Sequence, residues 1–183
     1  MKSLVIRTIL MPLLALALTF SAWAQEPTQK GRSYVSSLGV PKVSVKAGHS
    51  TAVEFPFQVA AGYHINSNRP SLPELLPTLL GFSAPADLSI SKLQYPAGTL
   101  MSFAFDPNTK LSVYSGKFVI KAVVIVPTKV GLGAHTIHGD LSYQACDNRA
   151  CYPPKKLPVE FVVTVAKRSK TKARPNRQSP HIH

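Results

Sequence analysis

The sequence has few of the residues on which several kinds of functional site depend. It has 2 cysteines among 183 residues, too few for a structural zinc site, which needs four protein ligands at short spacings. We find no serine, histidine and aspartate arranged for nucleophilic catalysis, no paired carboxylates and no glycine-rich phosphate loop. The sequence therefore predicts no metal and no organic cofactor.

Acidic residues are also scarce, with 8 Asp and Glu against 21 Lys and Arg and a formal net charge of +13. Lys2 and Arg7 lie at the start of the chain, and six basic residues with no acid lie from Lys167 onward, so that only +5 of the +13 remains for the body. A basic body face interleaved with aromatics, typical of nucleic-acid binding, is missing. We expect no nucleic-acid partner, although the basic tail could weakly contact an anionic membrane surface.

Long apolar runs are limited to one, from Ile9 to Phe20. It follows two positive charges and precedes Ala22-Trp23-Ala24, whose small residues are typical of a signal peptidase site. The run is shorter than the roughly 20 apolar residues of a membrane-spanning helix, and no later segment reaches that length. The sequence thus predicts a signal peptide that is cleaved after Ala24, and export to a bacterial-type periplasm.

The rest of the chain shows strand patterns and no long amphipathic helix. Apolar residues alternate with period two in residues 51–59 and 157–165, whereas residues 117–126 are apolar on both faces, as expected of a central strand. Several such segments separated by prolines and glycines predict an all-β fold, an antiparallel β-sandwich.

This pattern also predicts how the chain is organised. We expect a signal peptide at 1–24, a flexible polar leader at 25–39, one folded domain at 40–166 and a basic disordered tail at 167–183.

The two cysteines, Cys146 and Cys151, lie where one predicted strand ends and the next begins. In an oxidising compartment they should form a disulfide. As a structural staple, a ring of six residues contributes only about 2 kcal/mol. A redox pair needs neighbouring sulfurs, exposure and thiolate character. The positive charges of Arg149, Lys155 and Lys156 favour a thiolate, whereas the negative charge of Asp147 opposes it. These residues alone leave both interpretations open.

A resemblance to a known family bears on this choice. Tyr143-Gln144-Ala145-Cys146, followed by Cys151-Tyr152-Pro153-Pro154, resembles the signature of the amino-terminal periplasmic domain of the thiol:disulfide interchange protein DsbD. Residues 62–70 and 113–117 resemble further segments of the family, so the similarity extends over about 40–165.

The resemblance implies an immunoglobulin-like sandwich with the cysteine pair at one end, under a movable aromatic cap. It implies that Cys151 is the attacking sulfur and that Cys146 resolves the mixed disulfide. The residues that it places over or beside the cysteines are Tyr114, as the nearest cap candidate, His64, Asn66 and Tyr143.

The resemblance also implies partners. Domains of this family take electrons from a thioredoxin-like domain, which itself receives them from a membrane-embedded domain. They pass the electrons to oxidised periplasmic proteins. This sequence has four residues between its cysteines, where a family member has five, and it shows neither membrane-spanning segments nor a thioredoxin-like domain. We therefore expect a separate thioredoxin-like or DsbD-type membrane electron donor. The alternative is an immunoglobulin-like binding or assembly domain whose disulfide is purely structural.

Overall fold

The computed structural model describes residues 33–84, 87–104 and 106–168. The predicted signal peptide with its cleavage site, the first part of the predicted leader and the predicted tail beyond residue 168 lie outside the described residues. Within the described part the chain forms strands and no helix, which confirms the predicted all-β class, and accordingly no helix there could span a membrane.

Twelve strands are found in the described residues. They are β1 (Val35–Ser37), β2 (Val43–Lys46), β3 (Ser50–Val59), β4 (His64–Asn66), β5 (Leu79–Ser83), β6 (Ser89–Gln94), β7 (Thr99–Phe103), β8 (Asp106–Tyr114), β9 (Lys117–Ile125), β10 (Gly133–Tyr143), β11 (Ala145–Cys146) and β12 (Lys155–Ala166).

The strands form three four-stranded sheets, with the orders β1-β3-β9-β6, β2-β12-β10-β5 and β11-β4-β8-β7. Neighbouring strands pair antiparallel except β2 and β12, which are parallel. The core contains side chains of the first two sheets, for example Phe55 of β3, whose ring centroid lies 5.2 Å from that of Phe161 on β12. The molecule is an immunoglobulin-like β-sandwich, as the sequence and the resemblance predicted.

The period-two pattern explains which faces are buried. On β3, Val53, Phe55, Phe57 and Val59 are buried, whereas their neighbours along the strand are exposed or half-buried. Strand β9 lies between β3 and β6, the central position that its two apolar faces predicted. One of its faces is in the core and the other is only half-buried or exposed.

Residues 33–39, which the sequence assigned to the leader, instead include strand β1. Val35 pairs with Val59 and is 1% exposed, and Tyr34 is also buried in the core. Because β1 has only three residues, it is too short to show a period in the sequence. Its partner strand, rather than a local pattern, determines its structure.

The longest hairpin positions the cysteines. Strands β10 and β12 pair over eleven positions, from Gly133 opposite Val165 to Tyr143 opposite Lys155. The connection between them, residues 144–154, contains both cysteines. Strand β11 lies inside this connection and pairs with β4, in the third sheet.

Candidate functional site

The site is built on the connection of the β10–β12 hairpin. After Tyr143 the chain leaves the ladder with β12, and Ala145 and Cys146 pair with Ile65 and His64 of β4. The chain then turns back, and the Tyr152 amide donates a hydrogen bond to the Ala145 carbonyl oxygen over 2.8 Å. The connection is therefore attached to two sheets, with a short turn between the cysteines.

Cys146 and Cys151 form a disulfide, with their Cα atoms 3.9 Å apart. The two ends of the bond differ in their surroundings. Cys146 lies in strand β11 and is 1% exposed, whereas Cys151 follows the turn, belongs to none of the twelve strands and is exposed. Among the described residues, the accessible side of this pair is therefore the Cys151 side.

Asp147 holds the turn between the cysteines. Its Oδ1 accepts hydrogen bonds from the Arg149 amide at 2.7 Å and the Ala150 amide at 3.0 Å, and its Oδ2 accepts one from the Tyr152 hydroxyl at 2.6 Å. The Tyr152 hydrogen bond, followed by the two amides, lowers the pKa of Asp147 to about 2. The carboxylate is therefore charged at neutral pH and organises a side-chain-stabilised turn.

Tyr152 joins this turn to the core. Its hydroxyl is held by the Asp147 carboxylate, which raises the pKa of Tyr152 to about 12. Its ring stacks on Tyr34, with centroids 5.0 Å apart, and lies 6.0 Å from Tyr63. The ammonium group of Lys155 lies 5.0 Å from the centroid of the Tyr34 ring. The chain beyond Cys151 is thus fixed by aromatic packing that no sequence motif indicated.

His64 lies directly opposite Cys146 in the β4–β11 pair. It is 3% exposed, and its ring stacks on Phe103 of β7 with centroids 3.9 Å apart and an interplanar angle of 14°. Burial lowers the pKa of His64 to about 4, although the Asp147 charge opposes this shift. At neutral pH the imidazole of this residue, opposite Cys146, is therefore uncharged.

Asn66 lies two residues farther along the same face of β4. It is 1% exposed, and its Nδ2 donates to the Leu76 carbonyl oxygen at 3.0 Å and lies 3.4 Å from Gln144 Oε1. Its contact is with the residue two before Cys146, so Asn66 lies at the base of the cysteine connection. Tyr143 ends β10 at that same base and is buried in the core.

Tyr114, the cap candidate of the sequence, lies inside the fold. It is 3% exposed, its ring stacks on Phe118 at 4.9 Å, and its hydroxyl lies 2.7 Å from Asn68 Oδ1 and 3.0 Å from the Pro96 carbonyl oxygen. Such a buried and hydrogen-bonded ring does not have the position expected of a movable cap. The aromatic ring that stacks on the histidine opposite Cys146 is that of Phe103.

Sequence reasoning missed Phe103 because it lies in no recognisable motif. It is the last residue of β7 and is 6% exposed, packed with Leu111 and Val113 of β8. Only the pairing of β7 with β8, of β8 with β4 and of β4 with β11 brings it to the histidine beside Cys146. Among the described residues, no group of three or more His, Cys, Asp or Glu side chains is arranged to bind a metal ion.

The family model described as thiol:disulfide interchange protein DsbD, N-terminal, matches residues 37–162, more than half of the chain. The chain belongs to this family. The resemblance seen in the cysteine segment is thereby confirmed, and thiol–disulfide interchange is the chemistry for which the DsbD family is named.

Solved structures similar to this chain include another DsbD N-terminal domain. The reduced domain from Neisseria meningitidis is 22% identical, with 64% of this chain and 80% of that one covered and a TM-score of 0.38. The N-terminal periplasmic domain of ScsB from Proteus mirabilis is 12% identical, with coverages of 69% and 44% and a TM-score of 0.45. A type I cohesin from Pseudobacteroides cellulosolvens is 15% identical, with coverages of 81% and 99% and a TM-score of 0.44. No curated protein sequence matches the chain.

Proposed function

We propose that this protein is a periplasmic thiol–disulfide exchange module that passes electrons from a separate donor to oxidised exported proteins. The observation that carries the proposal is the asymmetry of the Cys146–Cys151 pair: one cysteine is exposed in a turn and the other is buried in a sheet. An exchange pair needs a sulfur that a partner can reach, and the burial of the second sulfur makes the exposed one the point of attack.

The exchange follows from this asymmetry. In the reduced protein the Cys151 thiolate attacks a disulfide of the acceptor, a mixed disulfide forms, and the displaced acceptor sulfur takes up a proton. Cys146 then loses its proton and attacks Cys151, which forms the intramolecular disulfide and releases the second acceptor sulfur as a thiol. Two electrons have moved to the acceptor, and no organic cofactor takes part.

A donor must then reduce the pair again. A dithiol of a thioredoxin-like protein or of a DsbD-type membrane protein supplies two electrons and two protons and is itself oxidised to a disulfide. The donor approaches from the same exposed side, because Cys146 is covered. We propose that donor and acceptor therefore use the same surface in turn.

Trapping of mixed disulfides tests this proposal, with each cysteine serving as the control for the other. In Cys146→Ala, Cys151 can form a mixed disulfide that nothing resolves, so thioredoxin-like partners should accumulate as complexes that reducing agent releases on a gel. In Cys151→Ala the remaining thiol is buried, and such complexes should be at least about tenfold scarcer.

A redox titration of the full chain separates exchange from a purely structural bridge. We expect a reduction potential above about −300 mV, whereas structural disulfides commonly lie below that value. If the bridge resists dithiol until the sandwich unfolds, and neither variant traps a partner, the protein is instead an immunoglobulin-like binding or assembly domain with a structural disulfide.

A further inference from the structure

Three buried side-chain atoms have no hydrogen-bond partner among the described residues: His64 Nε2, Asn66 Oδ1 and Ser91 Oγ. Of these, only His64 lies opposite a cysteine in a strand pair. Asn66 faces Gln144, with its Nδ2 3.4 Å from Gln144 Oε1, and Ser91 is on β6, in a different sheet. A buried polar atom without a partner is costly, so the position of His64 beside the disulfide needs a physical reason.

The strand pairing puts the His64 and Cys146 side chains opposite each other on the same face of the sheet. Residues directly opposite in an antiparallel pair project to the same face, with Cβ atoms about 4.5–5.5 Å apart. The His64 ring is held in one orientation by its stacking on Phe103. A sulfur on the opposite Cβ is therefore within reach of a nitrogen of this ring.

The oxidation state decides whether that nitrogen can be satisfied. A disulfide sulfur carries no hydrogen, so Cys146 cannot donate to the imidazole while it is bonded to Cys151. Reduction by a dithiol adds two electrons and two protons to the pair, and one of these protons resides on the Cys146 sulfur. A neutral imidazole has one nitrogen that accepts a hydrogen bond, and the thiol is a donor.

We propose that His64 is a positioning residue for exchange, whose Nε2 accepts a hydrogen bond from the Cys146 thiol in the reduced protein only. The contact stabilises the reduced pair relative to the disulfide. It also favours the neutral form of Cys146, because a hydrogen bond made by the neutral form raises a thiol pKa. Cys151 is then the sulfur that attacks first, and Cys146 stays protonated until resolution. The inference deepens the proposed function and rests on it.

The equilibrium of the full chain with dithiothreitol tests the proposal, with His64→Phe as the main variant. Phenylalanine keeps a ring that can stack on Phe103 but has no acceptor. We expect the equilibrium to shift about three- to tenfold toward the disulfide, the effect of one lost hydrogen bond. His64→Gln, which offers an amide oxygen, should recover part of the shift. A change of less than about twofold, or a shift toward the dithiol, overturns the proposal.

Unfolding of both redox forms separates this role from a structural one. His64→Phe should raise the denaturation midpoint of the oxidised form, where it removes an unpartnered atom, and lower that of the reduced form. Equal changes in the two forms indicate a structural role and overturn the proposal. A lowered midpoint of the oxidised form alone would show that His64 Nε2 already has a hydrogen-bond partner in the oxidised protein, and this also overturns the proposal. If His64→Phe does not fold, the comparison is made with His64→Leu, which likewise offers no acceptor.

The thiol pKa of Cys146 tests the direction of the hydrogen bond. In Cys151→Ala, the further change His64→Phe should lower this pKa, measured from the pH profile of alkylation, because an acceptor for the thiol proton is lost. A higher pKa would mean that the histidine donates to a thiolate, which overturns the proposal. None of these measurements needs a protein partner. Failure to trap partners would therefore contradict the proposed function without deciding the role of His64.

Discussion

The Tyr152 hydroxyl donates a hydrogen bond of 2.6 Å to the Asp147 carboxylate in the cysteine connection. In Tyr152→Phe we expect the pKa of Asp147 to rise from about 2 toward its ordinary value of 3.8, because the hydroxyl is the main cause of the lowered value. Carboxyl NMR titration measures the change. Tyr34→Phe is the control, since it removes a hydroxyl from the same aromatic cluster without touching Asp147. An unchanged Asp147 pKa would show that the two backbone amides hold the turn alone.

His64 predicts how stability depends on pH. Its pKa is about 4 in the folded protein, below the ordinary histidine value of 6.5, so the unfolded chain binds the proton more readily. The free energy of unfolding of the oxidised protein should therefore fall as the pH drops from 6.5 toward 4, by up to about 3 kcal/mol. Asp147 acts in a lower range of pH. Because its pKa is lowered from 3.8 to about 2, its contribution to the free energy of unfolding is fully present above pH 3.8 and is lost as the pH falls toward 2.

Denaturant unfolding at several pH values, for the oxidised protein and for His64→Phe, measures this dependence. The difference in the free energy of unfolding between the two proteins should change between pH 6.5 and 4 and stay constant above about pH 7.5. A difference that is the same at all these values would mean that the buried histidine is protonated as readily as an exposed one.

At the scale of residues, the resemblance pointed to the cysteine pair and to His64, Asn66 and Tyr143 near it, but not to Phe103 or to the hydrogen bonds of the turn. Tyr152 and Asp147 lie close together in the sequence, but the hydrogen bond between them depends on the shape of the turn, which the sequence does not show. Phe103 could not be found, because its role depends on three successive strand pairings and on no pattern of its own.

At the scale of elements, the pair β5–β10 has a close approach that predicts a mutational effect. A Cβ on Gly139 would lie 2.4 Å from the Gly81 carbonyl oxygen and 2.6 Å from Phe82 Cδ1. Gly139→Ala should therefore lower the free energy of unfolding by about 1–3 kcal/mol, the usual cost of overpacking. Gly81→Ala is the matched control: its Cβ would meet no atom within 4 Å, so its effect should stay within about 0.5 kcal/mol. Equal effects of the two substitutions in denaturant unfolding would contradict the steric argument.

The strands that alternation revealed in the sequence are long ones. Alternation identified β3, β9 and β12, each with nine or more residues. The strands β1, β4 and β11 have only two or three residues, which is too few for a period to show. Two of these three, β4 and β11, carry His64 and Cys146, so the elements that build the site were the ones that local patterns could not reveal.

At the scale of the whole molecule, the core predicts that the fold survives reduction. The core cluster includes side chains from the β1-β3-β9-β6 sheet and from the β2-β12-β10-β5 sheet. The disulfide closes a ring of only six residues, with a sequence separation of 5. Its loss should cost about 2 kcal/mol and lower the Tm by roughly 5–10 °C. Thermal unfolding with and without dithiothreitol, followed by near-ultraviolet circular dichroism, measures this. Loss of the folded signal at 25 °C on reduction would mean that the bridge holds the domain together.

The sandwich as a whole could be predicted because its first two sheets contain the long strands β3, β9 and β12, in which the alternation of apolar residues is visible. The third sheet could not, since β11, β4, β8 and β7 come together from distant parts of the chain. Nothing in the sequence fixes the register that places Cys146 opposite His64. That register depends on long-range packing, which a single sequence does not specify by its period.

The eleven-position ladder between β10 and β12 ends next to the cysteine connection. It keeps both ends of residues 144–154 in place whether or not the sulfurs are bonded. The freed Cys146 thiol therefore stays at a high effective concentration beside Cys151, so that its attack is intramolecular. If the proposed exchange takes place, a captured partner is released by this attack within one molecule, and no second reductant has to enter the complex.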